Sequence, residues 1–139
     1  MEQAIWFYVG IIGAIVGLGL LASVVLINEN ASKHQVAQNS IRLLEQKCNF
    51  VCSSDLDTLQ SVDVELSSGM VMYSNQTALC IALQDKQYCR PCNCKITDSN
   101  NANFRFDLNT SEAVELFSTH TFNCSFEKNI GGVLLACAG

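Results

Sequence analysis

The residues best able to do chemistry are eight cysteines, Cys48, Cys52, Cys80, Cys89, Cys92, Cys94, Cys124 and Cys137. Cys89-Arg-Pro-Cys92 is a CxxC, and Cys94 follows two residues on. A zinc site would need a second knuckle with its thiolates kept reduced, and Cys48-x3-Cys52 is only a loose one. A thioredoxin-type centre needs its CxxC at the start of a helix in a βαβ setting, which the pattern around Cys89 does not supply. Dense cysteine in a small head is the signature of cystines in an oxidising compartment. All eight are therefore expected in structural disulfides, with no metal and no cofactor. The sequence leaves about a hundred pairings open. Two have a geometric motive: Cys124 to Cys137 across one hairpin, and Cys80 to Cys89 around Gln84-Asp-Lys86.

Other reactive groups do not cluster. His34 and His120 have no patterned serine, cysteine or carboxylate partner, and the acids are scattered as solvated faces would be, so no catalytic site is expected. His34 is expected on the polar side of a helix and His120 on a surface strand or turn. Asn30-Ala-Ser32, Asn75-Gln-Thr77, Asn109-Thr-Ser111 and Asn123-Cys-Ser125 fit the Asn-x-Ser/Thr acceptor pattern, which makes Asn30, Asn75, Asn109 and Asn123 candidate glycosylation sites on an external head. The net charge is −5, and the eight Lys and Arg residues form no patch, which argues against nucleic acid as a partner.

What positions these groups begins with an apolar N-terminus. No charged residue occurs from Gln3 to Asn28. As a helix, Ala4 to Ile27 extends roughly 36 Å, against a hydrocarbon core of about 30 Å. The run is longer than a secretory signal core, and only Glu2 precedes it, so it is expected to stay in the working protein. Lys33, just after the run, taken alone would hold the head inside, whereas the cysteines place it outside. A short basic leader, removed from before Met1, would reconcile the two. With about 110 residues left beyond the run, a single small head is expected, not a multidomain enzyme.

No glycine or proline lies between Leu20 and Ser68, so the helix can continue to about Lys47. Val36, Ala37, Ile41, Leu44 and Cys48 recur at helical spacing as a narrow stripe that needs a surface, and the nearest surface is the chain's own head. A flexible polar stalk over Asn28 to Gln35 is the competing reading, because Asn and Ser are poor helix formers. Within the apolar half, Gly10, Gly13, Ala14 and Gly17 line one face, and Gly13 to Gly17 is a GxxxG match that lets backbones approach.

After Cys52 the pattern alternates. Val62 to Leu66 and Met70 to Tyr73 flank Ser67-Ser68-Gly69 and predict a hairpin. Thr77 to Leu83 and Asn103 to Leu108 are further strand candidates, and Asn109-Thr-Ser-Glu112 has capping-box spacing for a short helix over Ser111 to Phe117. Thr121 to Glu127 and Val133 to Ala138 predict a last hairpin whose final, almost wholly apolar strand suits a covered position. The expected fold class is α+β: a long N-terminal helix over 1–48, apolar over 1–28 and amphipathic over 29–48, then a cystine-rich antiparallel β head over 49–139.

This organisation resembles type IV pilin-like proteins, particularly archaeal pilins and pseudopilins. The resemblance rests on Met1 to about Cys48, with looser likeness in Val62 to Tyr73 and in Cys89-Arg-Pro-Cys-Asn-Cys94. It implies helices held in the membrane before assembly, then packed as the core of an extracellular filament with the heads outside. The departures are Ile5, where bacterial pilins carry glutamate, the lack of a proline kink, and no visible basic leader. In this reading Ile5, Trp6, Phe7, Ile11, Ile12, Ile15, Val16, Leu18, Leu20, Leu21, Val24 and Val25 fill the filament core, the partner is the chain itself, and the glycosylated head meets a surface or cell ligand. The alternative is a single-pass anchored extracellular binding module that does not polymerise. A membrane-tethered redox enzyme using Cys89 and Cys92 is a distant third.

Overall fold

The computed structural model describes residues 2–108 and 119–139. Helix α1 runs without a break from Glu2–Ser53, through the stretch where a polar stalk was the competing reading. Among the described residues eight strands follow: β1 (Leu59–Ser67), β2 (Met70–Asn75), β3 (Ala78–Leu83), β4 (Lys86–Pro91), β5 (Ile96–Thr97), β6 (Arg105–Asp107), β7 (Thr119–Asn129) and β8 (Gly132–Ala138). The fold class is α+β. The chain divides into two compact units, Met1–Lys33 and His34–Gly139, so the amphipathic part of α1 belongs with the strands.

Helix α1 extends past the expected end near Lys47. Its last turns keep the apolar stripe going, with Ala37, Ile41, Leu44, Cys48 and Val51 all buried. Orphan carbonyls at a helix end need donors. The Ser53 and Ser54 hydroxyls both donate to Phe50 O, at 2.9 and 2.8 Å, and Lys128 Nζ donates to Cys52 O at 2.8 Å. The last turn of the helix carries no basic residue, so Lys128, reaching in from β7, supplies the cation that favours a helix C-terminus.

The strands form two four-stranded sheets, in the order β1-β7-β8-β5 and β4-β3-β2-β6. All pairs are antiparallel except β5 with β8, which is parallel, so the expected antiparallel head is built as two sheets with one parallel pair at an edge. The expected hairpin of Val62 to Leu66 with Met70 to Tyr73 does not form either. β1 pairs with β7 along its whole length, from Leu59↔Glu127 to Ser67↔Thr119, and β2 pairs with β3 and β6. The turn at Gly69, φ 83°, instead passes the chain from one sheet to the other. Alternation fixed which side chains point inward but carried no information on the neighbouring strand.

The other expected strands fall close to their places. The final hairpin is β7–β8, with Asn129↔Gly132 closing it, and β8 is interior, between β7 and β5. Asn103 to Leu108 shortens to β6, with Phe104 buried just before it. The short helix expected over Ser111 to Phe117, with its capping box, lies outside the described residues. Both sheets and the helix contribute to one core of Val62, Val64, Leu66, Met70, Met72, Leu79, Ile81, Ile96, Phe126, Val133 and Leu135 around Ile41 and Leu44. Each such aliphatic contributes about 1.5 to 3 kcal/mol by leaving water.

Candidate functional site

Two features are candidates: the apolar stretch of α1 and the cystine cluster of the head. In the first, Ile5, Trp6, Phe7, Ile11, Ile12, Ile15, Val16, Leu18, Leu20, Leu21, Val24 and Val25 are all exposed, Trp6 at 76%. The helix is long and apolar enough to cross a membrane. On the small-residue face, a Cβ built at Gly10, Gly13 or Gly17 would meet nothing within 4 Å. Each glycine costs a helix about 1 kcal/mol relative to alanine. No contact among the described residues returns that cost.

In the head, all eight cysteines are bridged: Cys48–Cys92, Cys52–Cys94, Cys80–Cys89 and Cys124–Cys137. The last two lie across strand pairs, at the register positions Cys80↔Cys89 and Cys124↔Cys137. The first two span sequence separations of 44 and 42 and tie one turn of α1 to the segment after β4. The four-residue step from Cys48 to Cys52 puts both on one helix face. Their bridges stack, with Cys52 Sγ 3.2 Å from Cys92 Sγ. The sulfurs of Cys48, Cys52 and Cys92 lie within 4.8 Å of one another, the crowding a thiolate metal site would show, but each is committed to a disulfide and offers no thiolate.

His34 is not a free polar-face residue. It is half-buried, with Nδ1 2.8 Å from the Tyr88 hydroxyl and the rings edge-on at 5.9 Å, which fixes α1 against β4. His120 is exposed on β7, its ring tilted towards Phe122 at 6.5 Å. Ser40 is a positioning residue that the pattern missed. Buried on the helix, it donates to Glu65 O at 2.6 Å and so satisfies a β1 carbonyl that β7 does not take. Serine within an apolar stripe was the only signal for it. For Asn49, whose Oδ1 accepts from Asn93 N at 2.9 Å beside the cystines, there was none.

Of the candidate acceptor asparagines, Asn75 is exposed at the end of β2 and Asn123 is exposed within β7. Asn30 is placed only by its position in α1, and Asn109 lies outside the described residues. Comparison with models of known protein families, with curated proteins and with solved structures returns no match. The architecture is an N-terminal apolar helix continuing into a disulfide-braced β head, and it suits a membrane-associated chain with its head outside the cytosol.

Proposed function

We propose that this chain is a non-enzymatic structural subunit of a type IV pilus-like extracellular filament, of the archaeal kind, held in the membrane until assembly. The observation that carries this reading is the pairing of an exposed apolar run with glycines that meet nothing, on a helix whose later turns are the spine of a folded head. A bilayer alone would accept the apolar run. The glycine face goes further, because it favours neighbouring helices at close backbone distance. Copies repeating around an open helical axis would bury the run from Ile5 to Val25 and leave the heads outside to meet a surface or cell.

The test is material sheared from producing cells, sedimented without detergent and viewed by negative stain. Filaments containing the chain are expected. Replacing Gly13 or Gly17 by leucine should reduce filament yield at least several-fold while the head keeps its four cystines. A chain recovered only with detergent, as single copies, would instead identify the anchored binding module.

A further inference from the structure

We infer that the head carries an N-linked glycan on the β2–β3 turn, at Asn75, and that Asn123, an equally good match by sequence, is left bare. The inference needs the head to be outside the cytosol, as the function proposed above does, but it does not need polymerisation.

The chemistry sets the requirement. The acceptor amide Nδ2 attacks the anomeric carbon of a polyprenyl-phosphate-linked oligosaccharide. The carbon–nitrogen bond forms, the carbon–oxygen bond to the phosphate breaks, the polyprenyl phosphate leaves with the electron pair, and the amide loses one proton to the transferase. The nitrogen must therefore be unencumbered, and the Asn-x-Ser/Thr segment must present its hydroxyl to the same enzyme surface.

Asn75-Gln-Thr77 meets these conditions. Asn75 pairs with Ala78, which leaves Gln76 and Thr77 as the two turn residues, with Gln76 at φ 53°. All three side chains of the acceptor segment are exposed, and the Asn75 amide and Thr77 hydroxyl bond to no group among the described residues. Besides the β2–β3 pairing, the turn is held through its carbonyls: Ile96 N donates to Gln76 O at 2.8 Å and Cys92 N to Thr77 O at 2.7 Å. A glycan on Asn75 would displace no packed group.

Asn123-Cys-Ser125 does not meet these conditions, although the Asn123 side chain is exposed. It lies in the middle of β7, with β1 on one side and β8 on the other. Asn123 Nδ2 already donates to Asp63 Oδ1 at 2.8 Å, from the residue directly opposite it on β1. Its central residue, Cys124, is fully buried and bridged to Cys137, and the Ser125 hydroxyl faces Ala136 O at 3.4 Å. Presenting this segment would require β7 to leave its sheet against a covalent tie.

The experiment is glycopeptide mass spectrometry on the full chain purified from producing cells, as wild type and as Asn75→Gln, Thr77→Ala, Thr77→Ser and Asn123→Gln. A hexose-containing mass increment on the Asn75 peptide is expected in wild type. It should be lost in Asn75→Gln and Thr77→Ala and kept in Thr77→Ser and Asn123→Gln, while alkylation without reductant confirms that every variant holds its cystines. An unmodified Asn75 in wild type, or a glycan on Asn123, would overturn the inference. A glycosylated chain that never forms filaments keeps this inference and removes the filament reading. Filaments whose Asn75 is bare do the reverse.

Discussion

Two glycines at turns show how differently the same residue type is constrained. Gly69 takes φ 83° and Gly132 φ 145°, both in the region that side chains avoid. A Cβ at Gly69 would meet nothing within 4 Å, so Gly69→Ala costs only the backbone strain, about 1 kcal/mol. At Gly132 the added carbon would overlap the Lys95 carbonyl, the acceptor for Val133 N at 2.8 Å where β5 meets β8. Gly132→Ala should therefore cost about 2 to 4 kcal/mol, strain plus a disrupted strand contact. Thermal unfolding of the two variants would check this, and equal losses would show that the Lys95 approach does not matter. Little of it could be read in advance. Lys128-Asn-Ile-Gly-Gly132 announces a turn, but nothing in the sequence says that Lys95 lies against its second glycine.

Helix α1 serves two solvents, and its residues divide accordingly. Ile41 and Leu44 are buried in the head, whereas Ile12 and Ile15 are exposed at 61% and 64%. Leu44→Ala should destabilise the head by about 2 to 5 kcal/mol through lost burial and a residual cavity. Ile12→Ala should leave the unfolding temperature of the head unchanged, which denaturation followed by cystine-protected proteolysis can compare directly. This division was legible, since the stripe from Val36 to Cys48 stood out at helical spacing and the run before Asn28 held no charge. The strands were legible in part. Alternation located most of the strands and the hairpins crossed by Cys80–Cys89 and Cys124–Cys137, because partners across a turn are close in sequence. It paired β1 with β2 wrongly, because the true partner, β7, is more than fifty residues away and no local signal marks it. The bridges from α1 to Cys92 and Cys94 were hidden for the same reason.

At the scale of the whole molecule, the unit His34–Gly139 holds its own core, both sheets and all four bridges. Closing loops of 44 and 42 residues removes about 4 kcal/mol each from the stability of the unfolded chain in the entropic model. Because the two loops interleave and share residues 52–92, the second adds less than the first. A chain beginning at His34 should therefore fold alone when secreted into an oxidising compartment, with eight cysteines unreactive to alkylation and a monomeric sedimentation profile without detergent. The full chain should need detergent or self-association, since only it carries the exposed apolar run. Under reductant the short chain should lose its thermal transition, because a core of this size with its helix untied from the segment after β4 has little stability to spare. If the His34 chain were instead to associate as strongly as the full one, the drive to assemble would lie in the heads, and the glycine-lined helix would be an anchor alone.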